Sequence, residues 1–458
     1  FIRPDREPEP EASEIRHIYQ DIWVTPINIS KGELEIYNEY FFRDLSNVRL
    51  EWELLANGES IAKGNEDALN VKPQERRQIS LKGFSVPDDT KDKELLLNIN
   101  FRIKTVEPLL DVNYVIAHQQ LPVSQYKFPT VESLMPKATA EQPEIRTVKK
   151  SKKKDETAAP AEKVVKQEQL ACLSLAAGHT TVTFNKSTGW IDYLDIDNAP
   201  AFKKGYSLVP DFWRAPTDND YGAGLQNHFA AWKNPQMDLK SFECKELGEA
   251  KQVIAKYDMP GVSAKLEMTY TLRPDGQLIV NQKLITDPNA KDKPQMFRYG
   301  MQLVMPRDFV NLEYYGRGPG ENYIDRNNSE HIGIFRQLVE NQYWGYVRPQ
   351  ESGNHTDVRW WRVLSPKGMG LEFYSNAPME CSSLNYLTSD LDDGPDKNKH
   401  QSHSGDLVQR PFTVVHISQR QFGLGCVNSW GAWPEPEYQM PYGDRDFTFV
   451  IKPLTSAE

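Results

Sequence analysis

The sequence predicts an all-β chain built as two sandwiches of unequal size, separated by a charged linker. Three observations lead there. Apolar and polar residues alternate with period two in short runs from Asp21 to Leu121 and again from Thr180 to Ile451. Turn formers such as Asn57-Gly58 and Pro274-Asp275-Gly276 separate the runs. Between Phe128 and Phe184 there is no Phe, Tyr or Trp, so the two β-rich stretches are divided by a segment poor in core material.

Residues 1–20 are polar and rich in Pro and Glu, and read as a lead-in segment. Residues 21–130 hold strand candidates at Ile22–Ile29, Gly32–Tyr40, Val48–Leu55, Arg77–Leu81, Glu94–Ile103 and Tyr114–Leu121. Asn57-Gly58, directly after Val48–Leu55, marks a tight hairpin. About six or seven short strands in roughly 110 residues fit an immunoglobulin-like β-sandwich. Residues 131–168 contain Lys149–Pro160, charged and low in complexity, and read as a flexible linker that cannot offset its ordering entropy by burial. Residues 169–458 are again strand-rich, with alternating runs at Thr180–Phe184, Gly189–Leu194, Ala264–Leu272, Gln277–Leu284 and Asp446–Ile451. One large sandwich accounts for so long a run. Helical spacing is confined to Gly224–Trp232 and Asp325–Leu338.

The chain has 458 residues, 39% hydrophobic and 11% aromatic, enough for sizeable cores in two to four domains. A net charge of −10 argues against a nucleic-acid partner, which calls for a basic surface. No stretch approaches about 18 apolar residues, so no transmembrane helix is expected. Cys172, Cys244, Cys381 and Cys426 are widely spaced, which fits free thiols rather than a zinc site or a disulfide framework. The Phe1–Arg6 start is neither a signal peptide nor an initiator Met, and the chain reads as an internal or C-terminal piece of something longer. Cytoplasmic and periplasmic locations both stay open.

Four polar-aromatic loops carry the functional signal. Trp213–Asp220 sets Arg214 before Asp218, Asn219 and Asp220; these hold sugar hydroxyls or a hard cation, or else satisfy their own loop, with Arg214 paired to one carboxylate. Gly316–Arg326 gathers Glu321, Asn322, Asp325 and Arg326 into a charged knot of structural type, without the spacing of a phosphate loop. Gln350–His355 is a third polar loop. Asn428–Pro434 is the best binding candidate, with Asn428, Trp430 and Trp433 as carbohydrate-binding residues. Sugar C–H faces stack on rings while hydroxyls take directional hydrogen bonds, and Pro434 and Pro436 stiffen the chain beyond the two Trp. The same two Trp could instead cover the end of the sandwich. No acid/base carboxylate pair, GxSxG, HExxH or metal cluster is legible, so no catalytic and no metal-binding residue is assigned.

These phrases, in this order, resemble the large bacterial β-galactosidases of glycoside hydrolase family 2. Phe212–Asp220 resembles the family's R-A-P-x-D-N-D phrase, Gly316–Arg326 its G-x-G-P-x-E-N-Y-x-D-R phrase, and Tyr346–Gly353 its Y-V-x-P-x-E-x-G phrase. Asn38–Leu45 looks like the family's fourth-domain N-x-Y-x-F-x-x-L segment. The resemblance implies the fourth domain (immunoglobulin-like) and the fifth, a large β-supersandwich similar to the galactose mutarotase fold and of β-galactosidase small-chain type. It places residues 1–20 at the end of a catalytic (β/α)8 barrel. It implies that both catalytic glutamates of retaining lactose hydrolysis lie upstream, and that magnesium and sodium belong to the whole enzyme, with no cofactor in this piece. It implies partnership with the enzyme's own barrel, a galactoside in its active site, and a homo-oligomer. A fifth-domain Trp in a D-D-S-W phrase reaches the sugar in the family and corresponds to Trp430, with Val427-Asn428 standing where the family has two Asp. Two other readings stay open: a stand-alone carbohydrate-binding module and a mutarotase-like enzyme.

Overall fold

The computed structural model describes residues 1–136, 161–396, 402–425, 427–428 and 431–455. It divides into two compact units. The first comprises Phe1–Phe128, Tyr315–Asn322 and Arg326–Phe335; the second comprises Pro129–Tyr314, Tyr323–Asp325 and Arg336–Glu458.

The first unit opens with helix α1 (Pro10–Ile18), followed by β1 (Ile22–Asn28), β2 (Glu33–Asn38), β3 (Val48–Ala56), β4 (Glu59–Glu66), β5 (Arg76–Ser80), β6 (Leu95–Ile103) and β7 (Val115–Ser124). A three-stranded sheet, β1-β2-β5, and a four-stranded sheet, β4-β3-β6-β7, carry the predicted sandwich. Alternation puts Ile22, Val24, Leu34 and Ile36 from one sheet into the same core as Leu50, Trp52, Leu97, Ile99 and Phe101 from the other. The β3–β4 hairpin turns on Asn57 (φ 48°) and Gly58 (φ 84°), the doubly left-handed conformation that Asn-Gly adopts readily. On β4, Gly64 is required because a Cβ there would lie 2.5 Å from the Trp52 ring.

The second unit holds a five-stranded sheet made of β8 (Ala161–Glu168), β9 (Cys172–Gly178), β10 (Thr180–Asn185), β11 (Ile191–Ile196) and β12 (Ala199–Pro200), in the order β12-β11-β10-β9-β8. A larger sheet uses β13 (Val209–Asp211), β14 (Asp238–Leu247), β15 (Ala250–Met259), β16 (Ala264–Leu272), β17 (Leu278–Thr286) and β18 (Arg298–Pro306). Then come β19 (Asn311–Gly318) and β20 (His331–Leu338), which pair with one another and of which Tyr315–Gly318 and His331–Phe335 count with the first unit, and β21 (His355–Leu364), β22 (Gly370–Leu384), β23 (Phe412–Gln421) and β24 (Arg445–Leu454). Its main path runs β13-β18-β23-β22-β24-β17-β16-β15-β14. The β16–β17 hairpin closes on Gly276 (φ 82°). Strand β22 pairs β21 along one edge and two strands along the other, β24 through Gly370–Ser375 and β23 through Glu380–Leu384. That arrangement brings Asp211, Arg298, Glu380, His416 and Gln421, distant in sequence, onto adjoining strands.

Three expectations need correction. The lead-in segment contains a helix, α1, with Pro in its first turn, Glu11 near its N-terminus and Arg16 and His17 in its last turn, a charge order that suits the helix dipole. The helical spacing read over Asp325–Leu338 gives way to strand β20, whose Ile332, Ile334 and Phe335 favour extended backbone. The linker expected over 131–168 is narrower. Val131–Leu134 is a helical turn capped by Thr130, with Leu134 packed on Ile279 and Val450. Ala161–Glu168 pairs with β9 as an edge strand, and its exposed Lys166, Gln167 and Glu168 resemble a solvated linker in composition. Residues 137–160, including the Lys149–Lys154 run, lie outside the described residues. Cys172, Cys244 and Cys381 are free thiols, and Cys426 lies outside the described residues.

Candidate functional site: a clamped polar-aromatic loop cluster

The site is organised by buried charge in the second unit. Arg298, at the start of β18, is 1% exposed; it donates to Asp211 at 2.8 Å and to Glu351 at 2.6 Å. His416 Nδ1 lies 2.7 Å from the same Asp211 oxygen. Burial alone would raise the Asp211 carboxyl, but Arg298 and His416 outweigh it and hold it well below the usual carboxylate range. Glu380 accepts from the Gln421 backbone N–H and from Asn354 Nδ2, both at 3.1 Å. Burial dominates there and pushes its carboxyl up to about 7.

A second buried pair joins the loops. Arg214 donates to Asp220 twice, from Nε at 3.1 Å and from Nη2 at 2.8 Å, with both side chains fully buried. Asp220 also closes a capping box with Thr217 at the start of helix Asp218–Ala223. The rest of the Arg214 fork reaches the carbonyls of Phe422 and Gly423. Asp325 accepts from the N–H groups of Leu424 and Gly425, both at 2.9 Å, and a Cβ on Gly423 would lie 2.6 Å from that carboxylate. The Trp213–Asp220 and Gln350–His355 loops are tied directly: Glu351 N–H donates to Ala215 O at 3.0 Å and Asp218 N–H to Gln350 Oε1 at 3.1 Å.

The segment after Phe422 leaves this clamp as a loop with fixed feet. Gly425 (φ 71°) abuts Pro434, where an added Cβ would come within 2.8 Å. Gly431 (φ 82°) sits against Gly222, whose carbonyl would lie 2.6 Å from a Cβ. Trp433 is half-buried, its ring edge-on to Phe229 at 5.6 Å and close to Phe422 and His228. Val427 and Asn428 are exposed.

The sequence-predicted residues separate accordingly. Trp433 belongs to the foot of the loop, Asn428 is exposed, and Trp430 lies outside the described residues. Trp213 is buried, its indole N–H donating to Asp392 at 2.8 Å, so it frames the site without presenting a ring face. Arg214 is paired to a carboxylate of its own phrase, Asp220. The knot at Gly316–Arg326 is structural: in the first unit Arg326 bridges Glu321 and Glu11 at 2.7 Å each. Sequence reading missed Arg298 and Glu380, whose partners lie dozens of residues away. The tightly paired His416 and Asp211 are buried and tied into the Arg298 lattice. Among the described residues no group of three or more His, Cys, Asp or Glu is placed to hold a metal ion.

Comparison with known proteins adds lineage. Residues 176–451 match the family model described as the β-galactosidase small chain, and residues 34–124 match β-galactosidase domain 4. The β-galactosidase of Priestia megaterium is 26% identical over 99% of this chain, and that of Halalkalibacterium halodurans 27% over 98%. The chain spans about 40% of the length of these curated relatives. Among solved structures, a putative aldose 1-epimerase from Escherichia coli aligns with 61% of this chain and 97% of its own, at 11% identity and a TM-score of 0.35. A galactose 1-epimerase from Lactobacillus acidophilus aligns with 63% and 97%, at 11% identity and a TM-score of 0.31.

Proposed function

The chain belongs to the β-galactosidase small-chain family, and from that premise we propose that it works as the C-terminal part of a glycoside hydrolase family 2 β-galactosidase. It completes a sugar site whose catalytic glutamates sit in an upstream barrel, and its own role is to shape that site. Retaining hydrolysis needs two carboxylates about 5 Å apart, one to attack the anomeric carbon and one to protonate the leaving group. The carboxylates that organise the loop cluster here are committed elsewhere: Asp211 and Glu351 to Arg298, and Asp220 to Arg214.

The observation that carries this reading is the segment from Gly425 to Pro434, fixed at both feet with Asn428 exposed between them in sequence. A ring held on such a loop loses little freedom when a sugar stacks on it, and that preorganisation becomes affinity. Trp430 supplies the ring and Asn428 a directional amide. Trp433 acts beneath them as a brace. In the whole enzyme the substrate is a β-galactoside such as lactose, and the assembly is a homo-oligomer.

The test is Trp430→Ala in the full-length enzyme, with KM and kcat measured on lactose. A raised KM or a lowered kcat supports the role, and unchanged sugar affinity and turnover would sink it. A stand-alone carbohydrate-binding module remains the second reading, motivated by Trp430 and Trp433; millimolar or tighter galactoside binding by this chain alone that Trp430→Ala abolishes would favour it. The mutarotase-like reading gains no support from His416, which is buried against Asp211 and Arg298.

A further inference from the structure

The first unit holds a cavity of about 590 Å³ on the outer face of its four-stranded sheet. Glu53 on β3, Asn100 on β6 and His118 on β7 form its floor, and the Ser329–Phe335 segment forms one wall. That wall is pinned. Glu14 accepts from the N–H groups of Asn328 and Ser329 at 3.1 and 2.9 Å. Gln120 brackets the Ile332 backbone, donating to its carbonyl at 2.7 Å and accepting from its N–H at 2.9 Å.

At the centre, His118 Nδ1 and His331 Nε2 are 3.0 Å apart and share one hydrogen bond. Burial, reinforced by His17 and Arg16, pushes His118 down to about 4. Burial and His118 together push His331 down to about 3. Both rings are therefore neutral near pH 7, and each owns one N–H and one bare nitrogen. The shared bond uses one of each. Whichever ring donates, the two outer nitrogens, His118 Nε2 and His331 Nδ1, are left as one donor and one acceptor. A sugar hydroxyl is both donor and acceptor, so adjacent hydroxyls match either tautomer.

Other features select against other ligands. Arg16 is opposed by Glu53 and Glu330 along the same lining, which disfavours an anion. No metal-ligand group is present among the described residues. Gly333 carries no side chain beside Phe335; a Cβ there would lie 3.4 Å from that ring. An aromatic edge beside neutral donors and acceptors is carbohydrate chemistry.

We propose that this cavity is a second carbohydrate site, separate from the Gly425–Pro434 loop, which takes a neutral sugar through hydroxyl contacts to His118, His331 and Asn100. The inference does not depend on the β-galactosidase reading, because none of its residues belongs to that loop.

The test is lactose titration of the 458-residue chain, followed by amide chemical shifts, for the parent and for Asn100→Ala, Gly333→Ala and Trp430→Ala. Saturable millimolar binding is expected. Asn100→Ala and Gly333→Ala should each weaken it about five-fold, the first by removing one neutral hydrogen bond, the second by a methyl that sits in ordinary contact with Phe335 and takes up sugar space beside the ring. Trp430→Ala should leave the shifts of His118 and His331 responsive to lactose. Gly333→Ala perturbs no hydrogen bond of the wall, so the test stands even if Asn100→Ala misfolds. Absence of lactose binding, or binding that ignores both cavity variants, overturns the proposal. Loss of the His118 and His331 response in Trp430→Ala overturns the separateness of the site.

Discussion

Arg214 and Asp220, six residues apart in one phrase, form a fully buried pair joined by two hydrogen bonds at 3.1 and 2.8 Å. The same guanidinium reaches the carbonyls of Phe422 and Gly423, some two hundred residues later. One side chain thus couples a helix start to the root of the candidate sugar loop.

Arg214→Met should destabilise the second unit by about 3–5 kcal/mol, because Asp220 stays buried without its cation. Arg214→Lys should recover only part, since an ammonium cannot make two parallel bonds to one carboxylate. Urea unfolding midpoints measure both, and a loss below about 1 kcal/mol for Arg214→Met would remove the clamp.

Gly431→Ala should cost about 1–3 kcal/mol, from positive φ and the 2.6 Å approach to Gly222 O. The loop should loosen with it, visible as faster hydrogen exchange at Ala432 and Trp433. Exchange rates equal to the parent's would count against fixed feet.

Glu380 makes a pH prediction. Its native pKa of about 7 lies above the ordinary 4.5, so its contribution is fully present below pH 4.5 and is lost as pH rises through about 7. The loss is on the order of 3 kcal/mol. Glu380→Gln should flatten that part of the stability profile. Parallel profiles for parent and variant across pH 4.5–7 would contradict the assignment.

The histidine pair slopes the other way. His118 and His331 stay neutral in the native state down to about 4 and about 3, while the unfolded chain takes up protons near 6.5. First-unit stability should therefore fall as pH drops from 6.5 towards 4. His331→Asn should lessen the fall by roughly 2 kcal/mol, less than the full shift implies because the rings line an open cavity. An unchanged slope in thermal melts would contradict it.

Much of this architecture was legible from local pattern. Period-two runs located β3, β6, β16 and β17, and Asn57-Gly58 and Gly276 marked the turns that the backbone makes. The pairing of Arg214 within its own phrase was also readable. Contacts set by topology were not. Glu351 meets Arg298 from the loop before β21, and Glu380 meets Gln421 because β22 and β23 pair; neither composition nor spacing encodes those placements. The β8 edge strand failed for a different reason: exposed over Val165–Glu168, it needs little apolar sequence there. At the candidate site, sequence singled out Trp430 and Trp433, yet it carries no measure of burial, which sets Trp213 and Trp433, packed among neighbours, apart from the exposed Asn428.

The most direct measurement is hydrolysis of a chromogenic β-galactoside by this chain alone, once circular dichroism confirms that it is folded. No turnover above background is predicted, because Asp211, Asp220 and Glu351 are locked in ion pairs, Glu380 and Asp325 are held by hydrogen bonds, and the proposed function assigns the acid/base pair to the rest of the enzyme. Turnover that survives repurification would contradict this and place a working pair of carboxylates within these residues.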